Sequence, residues 1–145
     1  MRESEARSMD TTTSTATPVL LQSFGYLHGA APEADVTLDV RRWLHDPAAA
    51  RSILDLDGRD TRVQRVVCRT PGALPLIEHI GDVVADFPLE RQCVIAVGCA
   101  GGRNRSVALV QLAAAQLLLY GYDVLVEHRD VQRPRVLRSD TASSR

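Results

Sequence analysis

Several features are scarce in this 145-residue sequence, and each scarcity excludes a class of protein. Aromatic residues make up only 4% of it, so aliphatic side chains must fill most of the core. Its three cysteines, Cys68, Cys93 and Cys99, form no closely spaced pair, which favours reduced thiols in a cytoplasm over a disulfide framework. The histidines and cysteines also lack metal-ligand spacing such as Cys-x2-Cys, so we predict no structural metal.

Long apolar runs and a strong charge of one sign are missing as well. No stretch approaches the ~20 apolar residues that a membrane span requires. Residues 1–17 carry acidic side chains and no apolar segment, so they do not predict a secretory signal. The net charge of −1 argues against a globally basic nucleic-acid binder but allows a local basic face. We therefore expect a soluble, cytoplasmic protein without membrane contact.

The length and composition are those of one globular domain. Hydrophobic residues make up 45% of the chain and charged residues 24%, both ordinary for a soluble fold. The ends are polar, rich in Ser and Thr or Arg, and aperiodic. We expect a folded domain over residues 18–138, with disordered tails at 1–17 and 139–145.

Four segments bounded by turn residues have the length and composition of strands. They are Val19–Phe24, Val36–Val40, Gln92–Val97 and Asp123–His128. The third is a near-continuous apolar run, which is typical of a strand covered on both faces. A long helix joins it to the fourth, and strand, helix and strand over this length predict a parallel βαβ pair. The expected fold class is a single small α/β domain with a mostly parallel sheet flanked by helices.

Two helices have predicted ends. Thr70 and Pro71 fit the N-cap and first turn of a helix that reaches about Ala85. Its apolar face would comprise Leu74, Ile77, Ile80, Val83 and Val84. The longest helix should run from about Asn104 to Tyr120, with Gly121 closing it.

Three segments before these helices are less regular. Pro47–Leu54 favours a short helix at best, and the charged segment Asp55–Asp60 favours a loop. Arg62–Cys68 fits either a strand or a helical turn.

The candidate site is the glycine-rich turn between the third strand and the longest helix. Its residues are Gly98, Cys99, Ala100, Gly101, Gly102, Arg103, Asn104, Arg105 and Ser106. Glycines let backbone N–H groups converge, and the helix start adds unpaired N–H groups and the positive end of its dipole. Arginine forks and a serine hydroxyl suit phosphate oxygens. We predict an anion site, for a phosphate, at this turn; the alternative is a structural glycine turn with solvated arginines.

The same turn contains Cys-x5-Arg-Ser, the signature of protein tyrosine phosphatases, with Cys99 as nucleophile and Arg105 as phosphoryl clamp. Gly98 stands where those enzymes have His, and a general acid would have to come from Asp35 or Asp39. No Gly-Lys-Ser/Thr follows the turn, so the Walker A pattern fails and we expect no P-loop nucleotide hydrolysis.

Four ordered motifs, between about Leu21 and Arg135, resemble the C-terminal domain of the RNase adapter protein RapZ and its nucleotide-binding-protein relatives. The family patterns are SFG-x-KHG, AD with DVR, GCTGG-x-HRS and RHR. The matching residues are Ser23-Phe24-Gly25 with His28-Gly29, Ala34-Asp35 with Asp39-Val40-Arg41, Gly98–Ser106, and His128-Arg129.

The resemblance implies a sensor module rather than a phosphatase. The best-known family member binds glucosamine-6-phosphate and small regulatory RNA, and it oligomerises. Family members also carry an N-terminal Walker-type domain, which this sequence lacks, so ATP or GTP binding there is not expected. Carried over residue by residue, the ligand pocket would draw on His28, Asp35, Arg41, Cys99, Gly101, Gly102, Arg105 and Ser106. From the spacing alone, Asp39 and Arg41 flank Val40 and should lie on one face of the predicted strand, as an ordinary ion pair or as a charged wall of the pocket.

Three positions depart from the family pattern. Leu27 replaces a lysine, Ala100 a threonine and Asn104 a histidine. The phosphate cradle is kept, whereas a cation, a hydroxyl and an imidazole are lost from the implied pocket.

The C-terminal end is basic, through Arg129, Arg133, Arg135 and Arg138. Such a run is usually solvated. Because the family binds RNA, the alternative is that these arginines contact an RNA backbone. The leading hypothesis is a non-catalytic binding module for a phosphorylated, sugar-phosphate-like molecule, with no cofactor. The alternatives are an RNA-binding adapter and a cysteine-dependent phosphatase, with a protein partner or a homo-oligomer as further expectations.

Overall fold

The computed structural model describes residues 18–44, 55–88 and 90–134. The four strands are β1 (Val19–Gly25), β2 (Val36–Asp39), β3 (Cys93–Cys99) and β4 (Val124–His128). The three α-helices are α1 (Thr61–Cys68), α2 (Ala73–Asp86) and α3 (Arg105–Leu119), and a 3-10 turn covers Tyr26–His28. The chain is a single small α/β domain, which confirms the predicted fold class.

All strand pairs of the sheet are parallel, and the strand order is β2-β3-β1-β4. β1 therefore lies between the two strands that come last in the chain. The predicted βαβ unit exists, but β3 and β4 are not an adjacent pair, because β1 is inserted between them. The carboxyl ends of β1, β2 and β3 lie side by side, with Gly25 opposite Cys99 and Asp39 opposite Gly98.

The hydrophobic core lies between one face of the sheet and the helices. β1 and β3 bury alternate side chains there, among them Leu21 and Ile95, while α3 packs on β1, β3 and β4. β3 was predicted to be buried on both faces. Ile95 and its neighbour Ala96 lie on opposite faces of the strand, and both are fully buried. The opposite face of the outer strands carries exposed side chains such as Thr37 and Leu125. No helix in the described ranges is long and apolar enough to cross a membrane.

The ambiguous segment Arg62–Cys68 is helical. Asp60 caps α1 by accepting a hydrogen bond from the Arg62 N–H, and Val63 and Val67 are buried one turn apart. A four-residue spacing of buried residues belongs to a helix, whereas a strand would bury every second residue. Asp55–Asp60 forms the predicted loop, and Pro47–Leu54 lies outside the described residues.

The predicted start of α2 is wrong. The helix begins at Ala73 after Gly72, whose φ of 96° lies in the left-handed region. The Thr70 hydroxyl instead donates to the Val66 carbonyl in the last turn of α1. Leu74, predicted on the apolar face, is 55% exposed, because Ala73, four residues before Ile77, takes the place on the buried face with Ile77, Ile80 and Val84.

The ends of β3 and α3 also shift by small amounts. We predicted that β3 ends at Val97, since glycine weakens a strand. It continues to Cys99 because Gly98 is paired with Phe24 of β1 and Asp39 of β2. The rings of Phe24 and Tyr26 occupy the space of a side chain at Gly98, where a Cβ would lie 2.7 Å from the Tyr26 ring. α3 starts one residue later than predicted, with Asn104 as N-cap, and Gly121 follows its end at a φ of 94°.

Candidate anion-binding site

The glycine-rich turn lies at the carboxyl edge of the sheet and packs directly on the backbone that leaves β1. A Cβ on Gly102 would lie 2.6 Å from the Gly25 nitrogen, and Gly102 has a φ of 73°. A Cβ on Gly25 would likewise overlap the Gly101 and Gly102 backbone. The Leu27 N–H donates to the Ala100 carbonyl at 3.0 Å. Glycine is required on both sides of this contact, since no side chain fits between the two backbones.

Cys99 and Ser106 form a buried hydrogen-bonded chain inside the turn. The Cys99 thiol is 3.1 Å from the Ser106 hydroxyl, to which it donates, and its sulfur accepts the Gly102 N–H at 3.3 Å. The Ser106 hydroxyl in turn lies 3.4 Å from the Phe24 carbonyl. Cys99 is 2% exposed. The thiol therefore helps to shape the turn from inside.

Arg105, predicted to clamp phosphate, is buried at the start of α3. Its Nη1 donates to the Leu44 carbonyl at 2.8 Å and lies 3.4 Å from the Arg41 carbonyl. The guanidinium thus anchors the turn that follows β2 to the glycine-rich turn. These carbonyl acceptors give Arg105 a structural role that its sequence position did not indicate.

Two buried polar atoms without a partner belong to this turn, and a third belongs to the loop after β1. In the described part of the chain, four buried side-chain nitrogen or oxygen atoms have no hydrogen-bond partner: Gln22 Oε1, His28 Nε2, Arg103 Nε and Asn104 Oδ1. Three of them belong to predicted site residues. Buried polar groups are normally paired, and an unpaired one calls for an explanation, such as a bound ion.

The loop Asp55–Asp60 covers one side of the start of α3. The Gly58 N–H donates to the Arg103 carbonyl at 2.7 Å, and a Cβ on Gly58 would overlap the backbone of Ala108. Asp57 receives hydrogen bonds from the Arg59 side chain and N–H, which together hold its pKa below the ordinary value. Sequence reasoning placed no site residue in this loop.

Asp39 and Arg41 lie beside the turn as a local ion pair. Arg41 Nη2 is 2.7 Å from an Asp39 oxygen, and its guanidinium lies 3.9 Å from the centre of the Tyr26 ring. Hydrogen bonds from Arg41 lower the pKa of Asp39. We expected both side chains on one face of a strand, but β2 ends at Asp39 and Arg41 lies in the next turn. Both are nearly half exposed.

Asp35 lies at the opposite end of the sheet. It precedes β2, accepts the Val94 N–H at 2.8 Å and pairs with Arg91 at 3.0 Å. These contacts lower its pKa, the Val94 hydrogen bond being the largest cause. Because Val94 is near the amino end of β3, the structure does not bring Asp35 to the glycine-rich turn.

Asp130 is a residue that sequence reasoning missed. It is fully buried after β4, and its carboxylate accepts hydrogen bonds from the Gly25 N–H at 2.8 Å, from Arg129 Nε at 3.0 Å and from Arg133 Nε at 2.8 Å. Burial raises its pKa, but these hydrogen bonds outweigh burial and hold the pKa below the ordinary value. The sequence feature that could have drawn attention to Asp130 is the family motif His128-Arg129, which directly precedes it.

Two of the four arginines predicted to contact RNA, Arg129 and Arg133, therefore pair with Asp130. The other two, Arg135 and Arg138, lie outside the described residues. Contact between this segment and RNA stays a prediction.

A partly buried hydrogen-bonded chain links β1, β4 and α3. His128 Nδ1 lies 2.7 Å from the Ser23 hydroxyl, and its Nε2 lies 2.8 Å from Gln111 Oε1. Burial lowers the pKa of His128, and this pairing is consistent with a neutral ring that donates to Gln111 and accepts from Ser23. In the described ranges, no group of three or more His, Cys, Asp or Glu side chains could hold a metal ion.

These features define a class: a small parallel α/β domain whose glycine-rich strand-to-helix turn occupies the carboxyl edge of the sheet. A family model, the RapZ C-terminal domain, matches residues 17–132. The chain belongs to the RapZ C-terminal domain family, which confirms the resemblance seen in its motifs.

Similar proteins carry the description nucleotide-binding protein. One from Caldanaerobacter subterraneus is 35% identical over 117 residues, which cover 77% of this chain and 41% of that protein. One from Halothermothrix orenii is 34% identical over 122 residues, covering 79% and 42%. One from Thermosipho africanus is 35% identical over 121 residues, again 79% and 42%. The chain thus spans about two-fifths of the length of these relatives.

Proposed function

We propose that this protein is a non-catalytic binding module that holds a phosphorylated small molecule at Gly98–Ser106 and has a regulatory role. The observation that carries the proposal is the glycine-rich turn at the start of α3 together with two buried nitrogen atoms that lack a partner, Arg103 Nε and His28 Nε2, since both can donate to an anion. Membership of the RapZ C-terminal domain family supports a binding or adapter role.

Charges around the turn favour an anion. The nearby carboxylates of Asp39, Asp57 and Asp130 are each bound to at least one arginine. Arg103, whose Nη1 lies 3.3 Å from the Val131 carbonyl and whose charge also acts on Asp57, and the positive end of α3 then add attraction for a negative group. All 17 basic residues of the sequence other than histidine are arginines, and their planar forks match the paired oxygens of a phosphate.

The ligand class is phosphorylated metabolites, which includes both sugar phosphates and nucleotides. Nucleotides are included because the similar proteins are described as nucleotide-binding, although the match covers less than half of each. Sugar phosphates are included because backbone N–H groups and a helix start would recognise the phosphate group itself, whatever molecule carries it.

The test is thermal unfolding with inorganic phosphate, sulfate, sugar phosphates and nucleotides, each at about 10 mM. Binding to the folded state raises the unfolding midpoint by mass action. We expect phosphorylated compounds to raise the midpoint of the wild type selectively. Failure of every anion to raise it would make the turn purely structural.

A matched pair of variants localises the effect. A Cβ on either Gly101 or Gly81 meets no atom within 4 Å, so both positions accept a side chain. Gly101→Glu places a carboxylate at the turn and should abolish the midpoint shift, whereas Gly81→Glu in α2 should keep it. Equal loss in both variants would contradict the assignment. Arg105 is unsuitable as a first variant because it anchors the Leu44 backbone.

The cysteine phosphatase is the second candidate. It is favoured by one observation, the Gly102 N–H that donates to the Cys99 sulfur at 3.3 Å, since a backbone donor of this kind suits a thiolate nucleophile. Hydrolysis of p-nitrophenyl phosphate that is lost in Cys99→Ser would establish it. In a binding module the same variant should keep the midpoint shift and no hydrolysis should be measurable.

A further inference from the structure

We propose that Asp130 is the positioning residue of the anion site: with Arg129 and Arg133 it forms a clamp that holds the β1 loop in register with the glycine-rich turn. The clamp is defined as these three residues, and the β1 loop as residues 25–30. The inference rests on the proposed function and adds how that site is held in shape.

Asp130 contacts both halves of the site at once. Its carboxylate accepts the Gly25 N–H of the β1 loop at 2.8 Å. On the other side, a Cβ on Gly102 would lie 3.0 Å from the Asp130 Cβ, so the side chain packs against the glycine-rich turn. A movement of Asp130 therefore changes the distance between the two segments.

Arg129 adds further contacts to the β1 loop. Its Nη1 donates to the Ala30 carbonyl, and its Nη2 lies 3.3 Å from the Gly25 carbonyl and 3.4 Å from the Gly29 carbonyl. These carbonyls flank His28, whose Nε2 is one of the unpartnered buried atoms. The arginine thus fixes the loop that carries His28 and that contacts the glycine-rich turn through the Leu27 N–H and the Ala100 carbonyl.

The charge of the clamp is compatible with an anion next to it. A lone buried carboxylate at Gly102 would repel a phosphate. Here two guanidinium groups bind it, with N–O distances of 2.9 Å for Arg129 and 2.8 Å for Arg133, and the three residues together carry a net positive charge. Asp130 can therefore order the site without opposing its ligand.

The test compares Asp130→Glu with Val84→Ala by calorimetric titration with inorganic phosphate. Glutamate keeps the charge but adds one methylene, which displaces either the Gly25 or the Gly102 contact. Val84 is buried in α2, which does not contribute to the site, so its truncation destabilises the fold at a distance. We expect Asp130→Glu to weaken phosphate binding by about tenfold or more, the effect of one lost charge-assisted hydrogen bond, and Val84→Ala to leave it unchanged.

A spectroscopic readout separates positioning from simple destabilisation. The amide of Gly25 donates directly to Asp130, so its proton shift and its hydrogen exchange report the clamp. Both should change in Asp130→Glu and stay as in the wild type in Val84→Ala, at a temperature where all three proteins are folded. Wild-type phosphate affinity in Asp130→Glu, or equal weakening in both variants, would overturn the clamp alone. Absence of phosphate binding by the wild type would overturn the proposed function and, with it, this role of Asp130.

Discussion

Two arrangements of aspartate and arginine in the described residues differ in burial rather than in chemistry; the exposed pair Asp35–Arg91 belongs to neither. Three pairs are local, with the sequence pattern Asp-x-Arg: Asp39–Arg41, Asp57–Arg59 and Asp60–Arg62. In each, the carboxylate accepts from both the side chain and the N–H of the arginine two residues later, and the arginine is 45% to 64% exposed. In the clamp, by contrast, Asp130 is fully buried and binds a backbone amide 105 residues away.

The difference shows what an ion pair contributes in each setting. An exposed pair gains little, because water solvates the separated charges almost as well. The Asp-x-Arg pairs therefore shape turns. A buried carboxylate without partners is far costlier, so removing either side of the clamp leaves uncompensated polar groups inside the fold. The same two residue types thus fix a local turn in one place and join distant segments in another.

The largest effect is expected from Asp130→Asn. The amide cannot accept from Gly25, Arg129 and Arg133 with a full charge, so the free energy of unfolding should fall by about 3 kcal/mol. Urea denaturation measures this directly. A loss below about 1 kcal/mol would mean that Asp130 contributes no more to stability than the exposed pairs do, which would contradict the difference between buried and exposed pairs.

An intermediate effect is expected from pH, through His128, a half-buried side chain whose hydrogen bonds go to the neutral groups of Ser23 and Gln111. Burial lowers its pKa, nearby Arg59 lowers it further, and Asp57 opposes the shift. Folding therefore favours the neutral ring. The resulting stability is complete above the ordinary value of 6.5 and is lost as the pH falls from there through the lower folded pKa.

Urea denaturation between about pH 7 and pH 5 should show this loss. The free energy of unfolding should fall by at most about 1.4 kcal/mol per pH unit. His128→Gln should flatten the slope, whereas His79→Gln, at an exposed position of α2, should not. A slope that is unchanged in His128→Gln would assign the titration to another group.

The smallest effect is expected from Asp39→Asn. Its pair with Arg41 is nearly half exposed, so the urea midpoint should stay within the error of the measurement, and added salt should change it no further. A clear loss of stability would show that stacking of Arg41 on Tyr26 depends on the carboxylate.

Much of the site region could be predicted because its signals are local. An apolar run, a cluster of glycines and a long amphipathic segment follow one another, and they became β3, the turn and α3. The family motifs added the β1 loop to this picture. Where two local rules competed, the prediction failed. Thr70 and Pro71 satisfy the rules for a helix start, but the Thr70 hydroxyl bonds back to Val66 and ends α1 instead.

The rest depended on contacts between distant segments. Nothing near Arg105 indicates that its guanidinium binds the Leu44 carbonyl, which comes 61 residues earlier. Gly98 stays within β3 because Phe24 and Tyr26, from another strand and its loop, cover it. The burial of Asp130 depends in the same way on Gly25. Side-chain type predicts which groups can bind an anion, but packing decides which of them are already bound to protein.

The place of β1 in the sheet also sets an order of events during synthesis. β1 is made before the other strands, yet its two neighbours are β3 and β4, and its last residue bonds to Asp130. Such distant pairings slow folding, because the entropy cost of closing a long loop comes before the stabilising contacts form. While the first half emerges from the ribosome, β1 has no strand to pair with. Phosphate binding would therefore report a finished domain, and no nascent fragment that ends before residue 130 should show it.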